Sequence, residues 1–193
     1  MDDISFYQFS SNSADLSGAI VDFNDNAVNA GTVDEAAFYG SAVNVGTITL
    51  SASFADTAIN SGTVATAAFA DSASNTGTVT LQASFTDTAT NTGAVSGTAT
   101  FSASASNSGG SIAGSTVFAD SAVNTGTVTG PVIFSGTAVN NGTVAEAVFL
   151  GSSQNGGTVT LSATFAENAG NLGTGVIQGD AIFAGNTVNA GTV

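Results

Sequence analysis

Apolar and polar residues alternate along this chain in short runs, and the runs close at the same kind of place. In residues 79–85 the apolar Val79, Leu81, Ala83 and Phe85 fall on one parity while Thr80, Gln82 and Ser84 fall on the other. That two-residue period belongs to a strand with one buried face. Equivalent runs end on Phe23, Phe38, Phe54, Phe69, Phe85, Phe101, Phe118, Phe134, Phe149, Phe165 and Phe183. An asparagine stands six residues beyond each, at Asn29, Asn44, Asn60, Asn75, Asn91, Asn107, Asn124, Asn140, Asn155, Asn171 and Asn189, and a glycine stands eight residues beyond. Thr-Val or a close variant then opens most of the following runs.

The arc from phenylalanine to glycine is constant in all eleven copies, whereas the interval from one phenylalanine to the next ranges from 15 to 18 residues. Fixed arcs joined by connectors of varying length mark a repeat architecture in which each unit rests on its neighbours. The variation collects between the glycine and the next phenylalanine, where Gly, Ser and the single proline, Pro131, gather. Proline cannot donate to a strand ladder, so this segment reads as a corner. Two residues past the phenylalanine stands an acid or a glycine in ten copies, with Ala103 the exception, and these residue types share turns rather than strands. Asn-x-Gly marks a third corner.

Three corners and three short strands in each 15–18-residue repeat predict an all-β fold, a single β-solenoid (β-helix) of about eleven coils. Stacked at the strand spacing, they would make a rod of about 50 Å. Phenylalanines inside it would form one ladder, each contributing roughly 1.5–3 kcal/mol by burial plus offset stacking, and asparagines another. The glycine would supply either a positive φ or room for close backbone approach. A triple-stranded β-spiral, which buries its apolar face only as a homotrimer, and an antiparallel meander also match the repeat length. An identical polar residue in every copy is most simply satisfied by stacking on itself, which favours the solenoid.

Residues 1–20 read as a degenerate first repeat acting as an N-terminal cap, and residues 21–193 as the tandem-repeat solenoid. Phe9, 14 residues before Phe23, is the expected first phenylalanine, and Asp15 the stand-in for its asparagine. Phe6, Tyr7 and Phe9 are then expected to cover the open core. Ser111 and Gly175 displace the inward valine by one, to Ile112 and Val176.

Composition narrows the function more than the fold. Apolar residues make up 42% of the 193, which excludes general disorder despite 24 glycines. Lys, Arg and His are absent against 14 acidic residues, a net charge of -14. Without a cationic side chain the chain has nothing to neutralise phosphates, so nucleic acid and anionic lipid are not expected partners. Without His or Cys there is no Ser-His or Cys-His catalysis, no thiol chemistry and no ordinary zinc site, and no enzyme activity or cofactor is expected. No stretch is apolar for long enough to span a bilayer, so membrane insertion is not expected. The acidic start MDDISFYQFS lacks the basic region and apolar run of a secretory signal. A surface of one sign, with no site for trypsin-like proteases, suits an extracellular, cell-surface or virion setting.

Two polar columns suggest chemistry. Asp56, Asp71 and Asp87 come from consecutive coils and would bring carboxylates together at one corner, as in a Ca²⁺-binding adhesin module. The plainer reading is a solvated turn residue that Gly40, Gly136 and Gly151 replace elsewhere. Threonine follows the glycine in most copies, and Thr47/Thr49, Thr78/Thr80, Thr127/Thr129 and Thr158/Thr160 make Thr-x-Thr pairs. These resemble the rows of ice-binding β-solenoids, although threonine on an exposed strand is also ordinary β-propensity.

The phrase A/T/S-x-F-x-D/G-S/T-A-x-N-x-G-T-V, running through residues 21–193, resembles the Phe/Asn/Gly tandem-repeat β-solenoid regions of bacterial surface proteins and of phage or virus fibre proteins. The resemblance implies a shaft, spacer or filament and carries no catalytic or ligand residues. The expected function is a structural repeat protein forming a rigid fibre shaft or self-assembling filament. Its expected partners are itself, by end-to-end stacking or as a homo-oligomer, or adjoining fibre segments, because an open solenoid end is an unpaired strand edge.

Overall fold

A computed structural model describes residues 3–193, and in it the chain winds into twelve stacked coils. Each coil carries a long strand closing on phenylalanine and a short strand closing on asparagine, such as Thr78–Phe85 and Thr90–Asn91 in the sixth coil. The long strands build a 15-stranded sheet and the short ones a 12-stranded sheet, both parallel from coil to coil. Register is set by the repeat: phenylalanine pairs with phenylalanine and asparagine with asparagine. Main-chain hydrogen bonds continue through the corners, for example Thr57 N–H to the Gly40 carbonyl at 3.0 Å.

The third side of the coil comes from a bend in the long strand. Opposite the single Ala65 of coil five stand two residues of coil six, Thr80 and Leu81, and the register shifts there. In coils seven, eight and twelve the strand is broken outright, as between Ala94–Val95 and Thr98–Phe101. The predicted three-sided coil is therefore present, with two sides usually fused across a bulge.

That bulge corrects one expectation. Leu81 shares the parity of Val79, Ala83 and Phe85 yet is 64% exposed, and Leu50 and Leu161 at the same corner are 55% and 57% exposed. The leucine is the extra residue by which a 16-residue coil exceeds its 15-residue neighbour. An extra residue in one strand has no partner and is pushed outward, so the two-residue period does not survive the corner.

The first coil also differs from expectation. Phe6, not Phe9, heads it: its ring lies 5.0 Å from that of Phe23, and Asn12, six residues on, donates to Asn29. Phe9 is 87% and Tyr7 60% exposed, so neither covers the core. Asp15 pairs with Thr32 on the outer face rather than taking the asparagine position. Counted with this first repeat, the described residues make twelve coils. In coil twelve the inward residue is Ile177, which pairs with Val159 of coil eleven, while Val176 pairs with Thr158; the displacement is two residues, not one.

Two kinds of special backbone hold the corners. The residue two past the phenylalanine is left-handed in all twelve coils, with φ between 55° and 80°, including Asp56 at 58° and Gly136 at 69°. It is the first central position of a turn closed by a bond such as Ala58 N–H to the Ala55 carbonyl. Glycine tolerates that conformation and aspartate adopts it more readily than most residues, hence the acid-or-glycine rule. The glycine after the asparagine has an ordinary φ except at Gly109, where φ is 89° and Gly110 takes the close-approach position instead. It is required by close approach: a Cβ on Gly77 would sit 2.2 Å from the Gly62 carbonyl oxygen beneath it. In the first coil Ala14 stands at this position, and its carbonyl oxygen is the atom a Cβ on Gly31 would strike.

Candidate functional site

The features that recur in every coil lie inside the rod. Phe6 and the eleven sequence-predicted phenylalanines form one unbroken stack, with neighbouring ring centroids 4.6–5.0 Å apart and planes 3–11° from parallel. These separations fall in the range of attractive offset stacking. From Phe23 to Phe165 the rings are at most 1% exposed; Phe183, in the last coil, is half-buried. Inward valines or isoleucines, the residues two before the phenylalanine (mostly alanine) and the alanines four residues past it fill the rest of the core.

The asparagines make a second ladder. Each Nδ2 donates one hydrogen to the Oδ1 of the next coil's asparagine, at 2.7–2.9 Å from Asn12 through Asn189. Its other hydrogen goes to a main-chain carbonyl a few residues ahead in its own coil, as from Asn75 to Gly77 at 3.4 Å. Buried amides are thereby paired on both donors, and the chain of amides points one way along the rod. The main-chain carbonyl of each asparagine also accepts from the next corner; Asn60 O takes the N–H groups of Thr76 at 2.8 Å and Gly77 at 3.0 Å. Ser10, at the position alanine fills in most coils, buries a hydroxyl with no partner.

Among the outward columns, the acids are tied into the turns. Asp56 accepts from Gly40 N–H at 2.9 Å, Asp71 from Asp56 N–H, Asp87 from Asp71 N–H, Asp120 from Ala103 N–H and Glu167 from Gly151 N–H. Each carboxylate serves the left-handed residue of the preceding coil, whose N–H has no main-chain acceptor in the turn, and charge-assisted bonds of this kind are the stronger ones. One carboxylate per coil is not a chelate, and among the described residues no three metal-binding side chains cluster. Asp15 accepts from both the hydroxyl and the N–H of Ser17, which holds its carboxyl below the usual range.

The threonines that follow the glycine stack in register, Thr47 on Thr63 on Thr78, on the outer face of the first part of the long strand. Complete Thr-x-Thr pairs occur in coils four, six, nine and eleven, no two of them adjacent. Between them the second row carries Ala65, Ser96, Ala113 and Ala145. Thr49 donates to Asp34 of the coil beneath, so part of this row is engaged within the rod. No helix among the described residues is long and apolar enough to cross a membrane.

Fold and site together define the class: a regular parallel β-solenoid with a Phe ladder and an Asn ladder. Comparison with family models, with curated proteins and with solved structures finds no match.

Proposed function

We propose that this chain is a structural rod: a rigid shaft, spacer or filament segment of an extracellular, cell-surface or virion fibre. The observation that carries this reading is the continuity of both ladders through all twelve coils. A cross-section repeated from coil to coil suits a mechanical role, since stability in such a stack is a sum of like coil-to-coil interfaces. The partners in this reading are segments of the same kind, stacked on the strand edges at either end of the rod. The threonine face is a weaker alternative, because complete pairs recur only in every second or third coil and never in two adjacent ones.

Immuno-electron microscopy of the source particle or cell, with an antibody against this chain, tests the proposal. Label along projecting fibres is the expected result. Label confined to the cytoplasm would sink it.

A further inference from the structure

One outer face changes character along the rod. The residue just before each phenylalanine points outward, and in coils three to six it is small: Ala37, Ser53, Ala68 and Ser84. These leave an open furrow whose floor shows the inward Ala36 and Ala52, each 7% exposed, and a smaller furrow on the same face runs beside Ile133 and Val148 in the other half. In coils eight to ten the same column carries Val117, Ile133 and Val148, with Ile133 43% and Val148 37% exposed.

We propose that two copies of this rod pair side by side and antiparallel through this face. A two-fold axis along the strand direction lays coil eight over coil five, nine over four and ten over three. Val117 then lies over Ala68, Ile133 over Ser53 and Val148 over Ala37, large on small at each step, with Thr100 and Ser84 at the centre. Towards the ends Thr164 meets Asp22 and offers its hydroxyl to that carboxylate. A parallel pair would set the bulky halves against each other and hold the small halves apart. The shared face is about 55 Å long and roughly 10 Å wide, so the pair buries on the order of 1,100 Å² in total, close to the lower bound of a specific interface. Neither copy has a cation, and Glu35 faces Glu146 across the margin, so the pair is weak in dilute buffer and tightens with salt.

The chain has no cysteine, which makes thiol cross-linking of the full protein unambiguous. A mixture of Ala68→Cys and Val117→Cys, treated with a thiol cross-linker spanning about 8 Å, a reach matched to face-to-face sheet spacing, is expected to give a heterodimer. Val117→Cys alone is expected to stay monomeric on the gel. Self-linking of Val117→Cys at the same yield would mean a parallel pair and overturn the proposal. So would a single monomer in sedimentation equilibrium at high concentration in 1 M salt. Glu146→Gln should tighten the dimer by about 3- to 10-fold in dilute buffer, a gain no folding defect produces; an unchanged constant would refute the register.

Discussion

At the scale of single residues, Asn91 shows why the repeat tolerates no substitute at its polar inward position. It is fully buried, accepts from Asn75, and donates to both Asn107 and the Gly93 carbonyl. Aspartate has the same shape but no donor, so Asn91→Asp would set an anionic oxygen against two acceptors and bury a charge. The cost expected at neutral pH is roughly 3 kcal/mol or more. Burial and the facing oxygens raise the folded-state pKa of the new carboxyl above its unfolded value. The defect should therefore be smallest below the unfolded pKa, where the protonated group donates again, and grow as pH rises through the folded one. Urea midpoints of variant and parent at pH 4 and pH 8 measure it; the same difference at both would show that the ladder's donor is not what matters.

At the scale of the strand, the bulge separates apolar residues that the sequence makes look alike. Leu81 and Phe85 share a parity and lie four residues apart, but one is extruded at the corner and the other is enclosed by the rings of Phe69 and Phe101. Leu81→Ser should change stability by no more than about 0.5 kcal/mol, as surface substitutions generally do. A loss above about 2 kcal/mol in thermal denaturation, the size of a core truncation, would put the side chain inside and contradict the corner. Nothing in the parity pattern separates these two residues, because the corner is created by pairing a 16-residue coil with a 15-residue one. The same pairing exposes Leu50 and Leu161.

At the scale of the whole molecule, stability is nearest-neighbour and one-dimensional. Phe85 stacks on both sides, whereas Phe183 in the last described coil stacks only on Phe165, at 4.9 Å, and is half-buried. Truncating Phe85 to alanine should cost roughly 3–5 kcal/mol through the cavity it leaves. Phe183→Ala should cost less than half of that, by local fraying of the end coil. Equal losses in calorimetry would mean that the rod melts as one globular unit with no soft end. The absence of Lys and Arg acts at this scale too: carboxylates have only N–H and O–H donors to bind, and five of the six acids at the left-handed position are turned onto an N–H of the coil before.

The amino-acid sequence by itself determined the coil. Spacings of six and eight residues from each phenylalanine identify the inward Phe and Asn and the Gly corner, because the arc between them is stacked on an identical arc and admits no insertion. Even the first coil was legible in the spacing of Phe6 to Asn12, hidden only by the nearby Phe9 and by an alanine where glycine was expected. Only the tertiary structure decided how coils of unequal length sit on one another. Stacking expels the extra leucines at the bulge. It makes the glycine a matter of contact with the coil beneath rather than of φ, and it moves the left-handed backbone to the acid-or-glycine turn. It also sorts outward residues from many coils into columns, and the change from small to bulky along one of them is a property of the stack that no single repeat contains.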